Sequence, residues 1–182
     1  MIFPKVSAGF WAITLLIGWY DLELAAAFLA AIIIHEIGHL VVLRICNVSI
    51  YDIRLKLNGA QIHTDQMELQ QELSCALAGP VASGLLGALL LRNWSVGSFM
   101  SFGLGLLNLM PLYPLDGGRI TYAVLFLIVE EATAERVMRY LSFGVAGALM
   151  IGACWCAVWL QAGLWPIFAA LVLLWRTGET EK

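Results

Sequence analysis

The sequence predicts an all-α polytopic membrane protein, with about six transmembrane helices and a small membrane-associated β-hairpin on the cytoplasmic side. Three observations carry that prediction. First, 61% of the 182 residues are hydrophobic and 13% are charged, against about 45–50% and about 25% in soluble domains. Mean hydropathy is +0.85, so the chain lacks the polar surface to coat a globule in water. Second, apolar runs recur near the length of about 20 residues that crosses a bilayer. Third, the basic residues fall almost entirely on one side of the topology those runs imply. The chain is one domain in size, residues 1–182, and its net charge of −3 gives no reason to expect a nucleic-acid partner.

The elements follow in order. Candidate spans cover 4–20 and 22–46. The first lacks a small-residue cleavage site and reads as a retained helix. A β-hairpin is expected over about 48–64, because "IRLKLNGAQIHT" (53–64) alternates apolar and polar residues around Asn58-Gly59, a two-residue turn signal. That turn would pair Leu57 with Ala60, Lys56 with Gln61, Leu55 with Ile62 and Arg54 with His63. One side of the hairpin is then greasy, fit to lie against a membrane. The third span, 72–91, repeats Gly79, Ser83 and Gly87 on one face, a smooth surface for close helix packing. Pro80 removes one helical hydrogen bond, which neighbours or water can satisfy.

The fourth span, 96–112, is broken by Pro111 and Pro114. The patch "ITYAVLFLIV" (120–129) continues that broken helix or lies along the interface, so the interrupted element runs over about 96–130. C-terminal spans are expected at 140–160 and 163–176. Cys46, Cys75, Cys154 and Cys156 sit in or beside apolar runs with no CxxC pair, which predicts buried free thiols. With the N-terminus cytoplasmic and six spans, the inside segments hold Lys5, Arg44, Arg54, Lys56, Arg119, Arg136, Arg139, Arg176 and Lys182, and the outside holds Arg92 alone. Shifting the topology by one span reverses the bias, so both termini are predicted cytoplasmic.

The second span carries "AIIIHEIGHLVVL" (30–42), an oily run interrupted by His35, Glu36 and His39. Ionisable groups inside a span cost at least about 2.5–3.5 kcal/mol each, and mark function by default. His35 and His39 are four apart and share a helix face. Neutral imidazoles so placed can bind one Zn²⁺, and Glu36, about 100° round the helix, can take a proton from water there. A catalytic zinc needs a third protein ligand. His63 sits on a polar loop face, and Glu68 and Glu72 lie at the start of the third span. Asp116 is the better candidate. It lies in "NLMPLYPLDGGRI" (108–120), where prolines and glycines stop the helix at membrane depth, tolerated only in a cavity or inside protein. The alternative is an aqueous turn with Asp116 and Arg119 solvated. Level favours the ligand: seven residues separate His39 from Asn47, about 10 Å from the cytoplasmic end, and Asp116 approaches the same face.

With "HEIGH" in the second span and "NLMPLYPLDGG" in the fourth, the sequence resembles the site-2 protease family, intramembrane zinc metalloproteases of peptidase family M50. "AGP" in the third span and the cytoplasmic hairpin look like further family features. The compact form looks most like the branch that includes sporulation pro-sigma-factor processing proteases. The resemblance implies zinc held by His35, His39 and Asp116, with Glu36 as general base and Asn108 lining the substrate groove. It implies a hairpin edge that pairs with an unwound substrate strand. The substrate implied is a membrane protein of anti-sigma or pro-sigma factor type, in a prokaryotic plasma membrane. Neither a PDZ insertion nor a nucleotide-sensing domain after Lys182 is visible, so the family's usual regulators are expected to be missing or to act in trans, as a regulatory membrane protein would.

The expected reaction is hydrolysis of a peptide bond in or near a transmembrane segment, a form of regulated intramembrane proteolysis. A metal-binding carrier or an inactive scaffold would keep the ligands yet not need Glu36. A rhomboid-like serine protease needs Gly-x-Ser-x-Gly, and Val81-Ala82 precede Ser83-Gly84. A transporter would show paired broken helices in two halves, and one break is visible.

Overall fold

A computed structural model describes residues 5–56 and 59–159, with single positions at 167, 170, 171 and 174. Among them are six helices and three short strands: β1 (Lys5–Val6), α1 (Ala8–Tyr20), α2 (Leu22–Ile45), β2 (Ile50–Lys56), β3 (Gly59–Thr64), α3 (Leu69–Leu90), α4 (Ser95–Asn108), α5 (Asp116–Phe126) and α6 (Glu131–Trp159). The expected helical membrane fold with a small sheet is what the chain forms. It divides into two compact units, one ending at Asn108 and one beginning at Leu109.

Capping chemistry places the helix ends of the first unit. Ser7 Oγ accepts from the Phe10 N–H at 3.3 Å to start α1. Asp21 closes that helix, and its carboxylate accepts from the Leu24 N–H at 3.0 Å to open α2, as good N-cap residues do. Asn47, at φ 54°, ends α2 in the left-handed region that Asn tolerates. Gln71 Oε1 accepts from the Glu68 N–H at 3.0 Å at the head of α3.

The sheet corrects the expected hairpin in two ways. β2 lies between β3, antiparallel, and β1, parallel. A two-residue strand carries no period, so the sequence could not show β1. The register also differs by two: Arg54 faces Gln61 and Lys56 faces Gly59, while His63 faces Asp52 and not Arg54. Gly59 thus opens β3, and the two residues between the paired ends are 57 and 58, outside the described residues. A slip of two leaves the alternation of faces intact, so the polar pattern could not choose between the registers. A bulge between Ile50 and Asp52 shifts the ladder by one more residue.

In the first unit α2, α3 and α4 pack on one another, with α1 on α2. Its interior is small and polar: Ala27, Ala31, Ala76, Ser83, Ser98 and Ser101 are buried, while Leu15, Leu85, Leu89 and Phe99 are exposed. In water this would be inside out. In lipid no hydrophobic force draws helices together, and small residues and hydrogen bonds hold them. Ser98 Oγ donates to Gly87 O at 2.8 Å. Gly38 brings α2 so close to α3 that an added Cβ would lie 2.5 Å from Ala78 O. Among the described residues three helices, Leu22–Ile45, Leu69–Leu90 and Glu131–Trp159, are long and apolar enough to cross a membrane, and Ala8–Tyr20 is apolar but shorter.

The second unit opens with the irregular segment 109–115. Leu112 and Leu115 bury against Ala146, and the Tyr113 N–H donates to Ser142 Oγ at 3.1 Å. The first turn of α5 runs so close beneath this segment that a Cβ on Gly117 would lie 2.5 Å from Met110 O. Part of the 120–129 patch is therefore α5. Helix α6 begins at Glu131, ahead of the span expected at 140, because Glu131, Glu135, Arg136 and Arg139 are helical without being apolar. The span expected at 163–176 falls almost wholly outside the described residues. All four cysteines are free, but only Cys75 is buried and Cys154 is exposed. An apolar run in a span can face lipid, so it does not imply an interior position.

Candidate metal centre

His35 and His39 lie one helical turn apart on α2 and are 4% and 6% exposed. Their rings meet edge to face, with centroids 4.9 Å apart and Nε2 atoms 3.3 Å apart. Helix α3 holds the two far nitrogens. His39 Nδ1 donates to Cys75 O at 2.7 Å, and His35 Nδ1 lies 2.9 Å from Ser83 Oγ. A carbonyl only accepts, so Nδ1 of His39 carries the hydrogen and Nε2 of the neutral ring is a lone pair. Pro80, inside α3, has no N–H to give Ala76 O.

Gly79 makes the room. A Cβ there would lie 2.6 Å from His39 Cε1 and 2.7 Å from His35 Nε2. Two nitrogens bonded at about 2.05 Å to one tetrahedral zinc lie about 3.3 Å apart, and the imidazole pair shows 3.3 Å. The pair therefore fits a shared ion, with both rings fixed from behind in the way metal-binding histidines are oriented.

Glu36 follows His35 and is half-buried. Asn108, the last residue of α4, donates from Nδ2 to Leu104 O at 3.0 Å, so its amide is tied to its own helix. His63 is exposed on β3, opposite Asp52, and Glu68 is exposed ahead of α3. On the sheet, the hydrogen bond from Tyr51 to Asp65 is the main cause holding the Tyr51 phenol above its ordinary value of 10.0.

In the second unit Asp116 is the first residue of α5, where a helix N-terminus favours an anion. It is 7% exposed, so it is not a solvated turn residue. Arg119 Nη1 lies 3.9 Å from its Oδ1. Sequence reasoning missed two contributors, Ser83 and the Cys75 carbonyl. It read Ser83 as a small packing residue; the available signal was a hydroxyl four positions after Gly79 on the same face.

Residues 87–152 match the family model of peptidase family M50, a stretch that contains Asp116 but neither histidine. A zinc metalloprotease of Methanocaldococcus jannaschii is 32% identical over 108 residues, 52% of this chain and 32% of that protein. The candidate zinc metalloprotease Rip3 of Mycobacterium tuberculosis is 31% identical over 179 residues, 80% of this chain and 44% of that protein. The chain thus spans less than half the length of these curated relatives. Among solved structures, the site-2 protease from Methanocaldococcus jannaschii has a TM-score of 0.73 at 20% identity, over 98% of this chain and 90% of that one. That likeness is one of fold.

Proposed function

We propose that the chain is a member of the site-2 protease family, the zinc metalloproteases of peptidase family M50 that it resembles, and that it hydrolyses a peptide bond in or near a transmembrane segment of a membrane protein. His35, His39 and Asp116 hold one zinc, and Glu36 is the general base. The observation that carries this reading is the imidazole pair, with Nε2 atoms 3.3 Å apart and both Nδ1 atoms engaged by α3. Asp116 supplies the third, anionic donor, giving the two-histidine, one-carboxylate set of catalytic zinc sites. When bound, the metal polarises the scissile carbonyl and acidifies water at the site.

The chain's own residues do the rest. Glu36 takes a proton from the attacking water and passes it to the leaving amine. Asn108, anchored through one amide hydrogen, offers its other polar atoms to the substrate backbone. The substrate unwinds and adds as a strand to β3, the side of the sheet away from β1, which replaces the hydrogen bonds its helix gives up. Substrates of anti-sigma or pro-sigma factor type, regulated by a membrane protein in trans, fit this chemistry. Six spans with both termini in the cytoplasm agree with the one-sided placement of Lys and Arg, and a prokaryotic plasma membrane completes the reading.

The test is reconstitution of the chain in vesicles with a membrane-spanning reporter peptide. Cleavage within the spanning segment, lost with a zinc chelator and restored by zinc, is the expected result. Cleavage that persists at full zinc removal would overturn the proposal.

A further inference from the structure

We propose that Ser83 is a positioning residue of the metal centre, whose hydroxyl lets His35 turn its Nε2 lone pair toward zinc. The proposal rests on the reading of His35 as a ligand. It begins from an asymmetry between the two rings. His39 Nδ1 faces a carbonyl at 2.7 Å, which only accepts and so permits one neutral tautomer. His35 Nδ1 faces a hydroxyl at 2.9 Å, which can accept or donate. Ser83 is therefore compatible with either neutral tautomer of His35, where the Cys75 carbonyl is compatible with one of His39.

With Ser83 donating, His35 carries its hydrogen on Nε2 and can give it to His39 Nε2, 3.3 Å away. With Ser83 accepting, the hydrogen is on Nδ1, and two Nε2 lone pairs face each other at that distance. The second arrangement is repulsive unless a cation lies between them. Zinc selects it: one proton leaves Nε2 to solvent, one arrives at Nδ1 from solvent, and the ring stays neutral. Only the hydroxyl hydrogen of Ser83 must turn. Its surroundings are closed, since Ser83 is 0% exposed and the Gly105 backbone of α4 packs against it. If Ser83 served packing alone, alanine would replace it without loss.

The test titrates zinc against a competing chelator on the purified full chain in detergent, with ¹⁵N-histidine NMR on the same samples. Ser83→Ala is expected to weaken zinc about 10–100-fold, the usual effect of losing an outer partner, with helix content unchanged. The wild-type His35 signal should pass from the Nε2–H to the Nδ1–H form as zinc is added. Wild-type zinc affinity in Ser83→Ala, or a His35 tautomer that zinc does not change, would overturn the proposal. His35→Ala separates the two levels. If it keeps zinc, the ligand reading fails; if it alone loses zinc while Ser83→Ala does not, only the role of Ser83 fails.

Discussion

Replacing Gly79 with alanine is the smallest change that acts directly on the imidazole pair. The added methyl would stand 2.7 Å from His35 Nε2 and 2.6 Å from His39 Cε1, where ordinary contact begins near 3.4 Å. The His35 ring must retreat by the difference, 3.4 less 2.7, or about 0.7 Å, and the His39 ring, whose atoms stand nearer, by more. Metal–ligand distances tolerate about 0.2 Å, so both nitrogens cannot keep their bonds to one ion. Alanine is about 1 kcal/mol better than glycine inside a helix, which offsets part of the roughly 1–3 kcal/mol that overpacking costs. The expected phenotype is thus a chain that folds with α3 intact and binds zinc at least about 10-fold more weakly. Chelator competition reads the affinity, and circular dichroism during melting reads the fold. Gly84→Ala on the same helix, where nothing lies within 4 Å, should match the wild type in zinc. Wild-type zinc affinity in Gly79→Ala would refute the geometric argument.

Other substitutions test separate parts of the account. Asp116→Asn removes the anionic donor and should lower zinc affinity by more than the roughly 10–100-fold that an outer partner costs, measured by metal content after gel filtration. Gly117→Ala should destabilise by about 1–3 kcal/mol or more, because its methyl would lie 2.5 Å from Met110 O, a backbone atom with little freedom to move; a lower melting temperature is the readout. Asp65→Asn should bring the Tyr51 titration back toward 10.0, since the hydrogen bond to Asp65 is what chiefly raises it. The sign follows from a raised value: the folded chain holds the phenol proton the more tightly, so this contribution is present below pH 10.0 and is lost as pH climbs through the raised value. Absorbance of phenolate, with Tyr51→Phe as reference, checks it.

The membrane class and the helices that carry the site were legible because lipid imposes a length and a composition that few other constraints imitate. His35, Glu36 and His39 stood out for the same reason, as ionisable groups in an apolar run. The sheet was less legible. Alternation marks a strand but is blind to a slip of two, so Asn58-Gly59 suggested a register two residues away from the observed one, and β1 was too short to carry any pattern. The start of α6 was hidden by charge, because hydropathy registers the lipid-facing part of a helix and not its full length. Ser83 and Cys75 were hidden by burial: one contributes a hydroxyl and the other a main-chain carbonyl. Only the approach of α3 to α2 at Gly38 and Gly79 turns those atoms into partners of the two histidines.

The most direct test of the central claim is Glu36→Gln, assayed for bound zinc and for cleavage of a membrane-spanning reporter in one preparation. The variant should hold about one zinc per chain, as the wild type does, and cleave nothing, because the metal's ligands remain and the proton acceptor is gone. Cleavage at the wild-type rate by the zinc-loaded variant would contradict the claim.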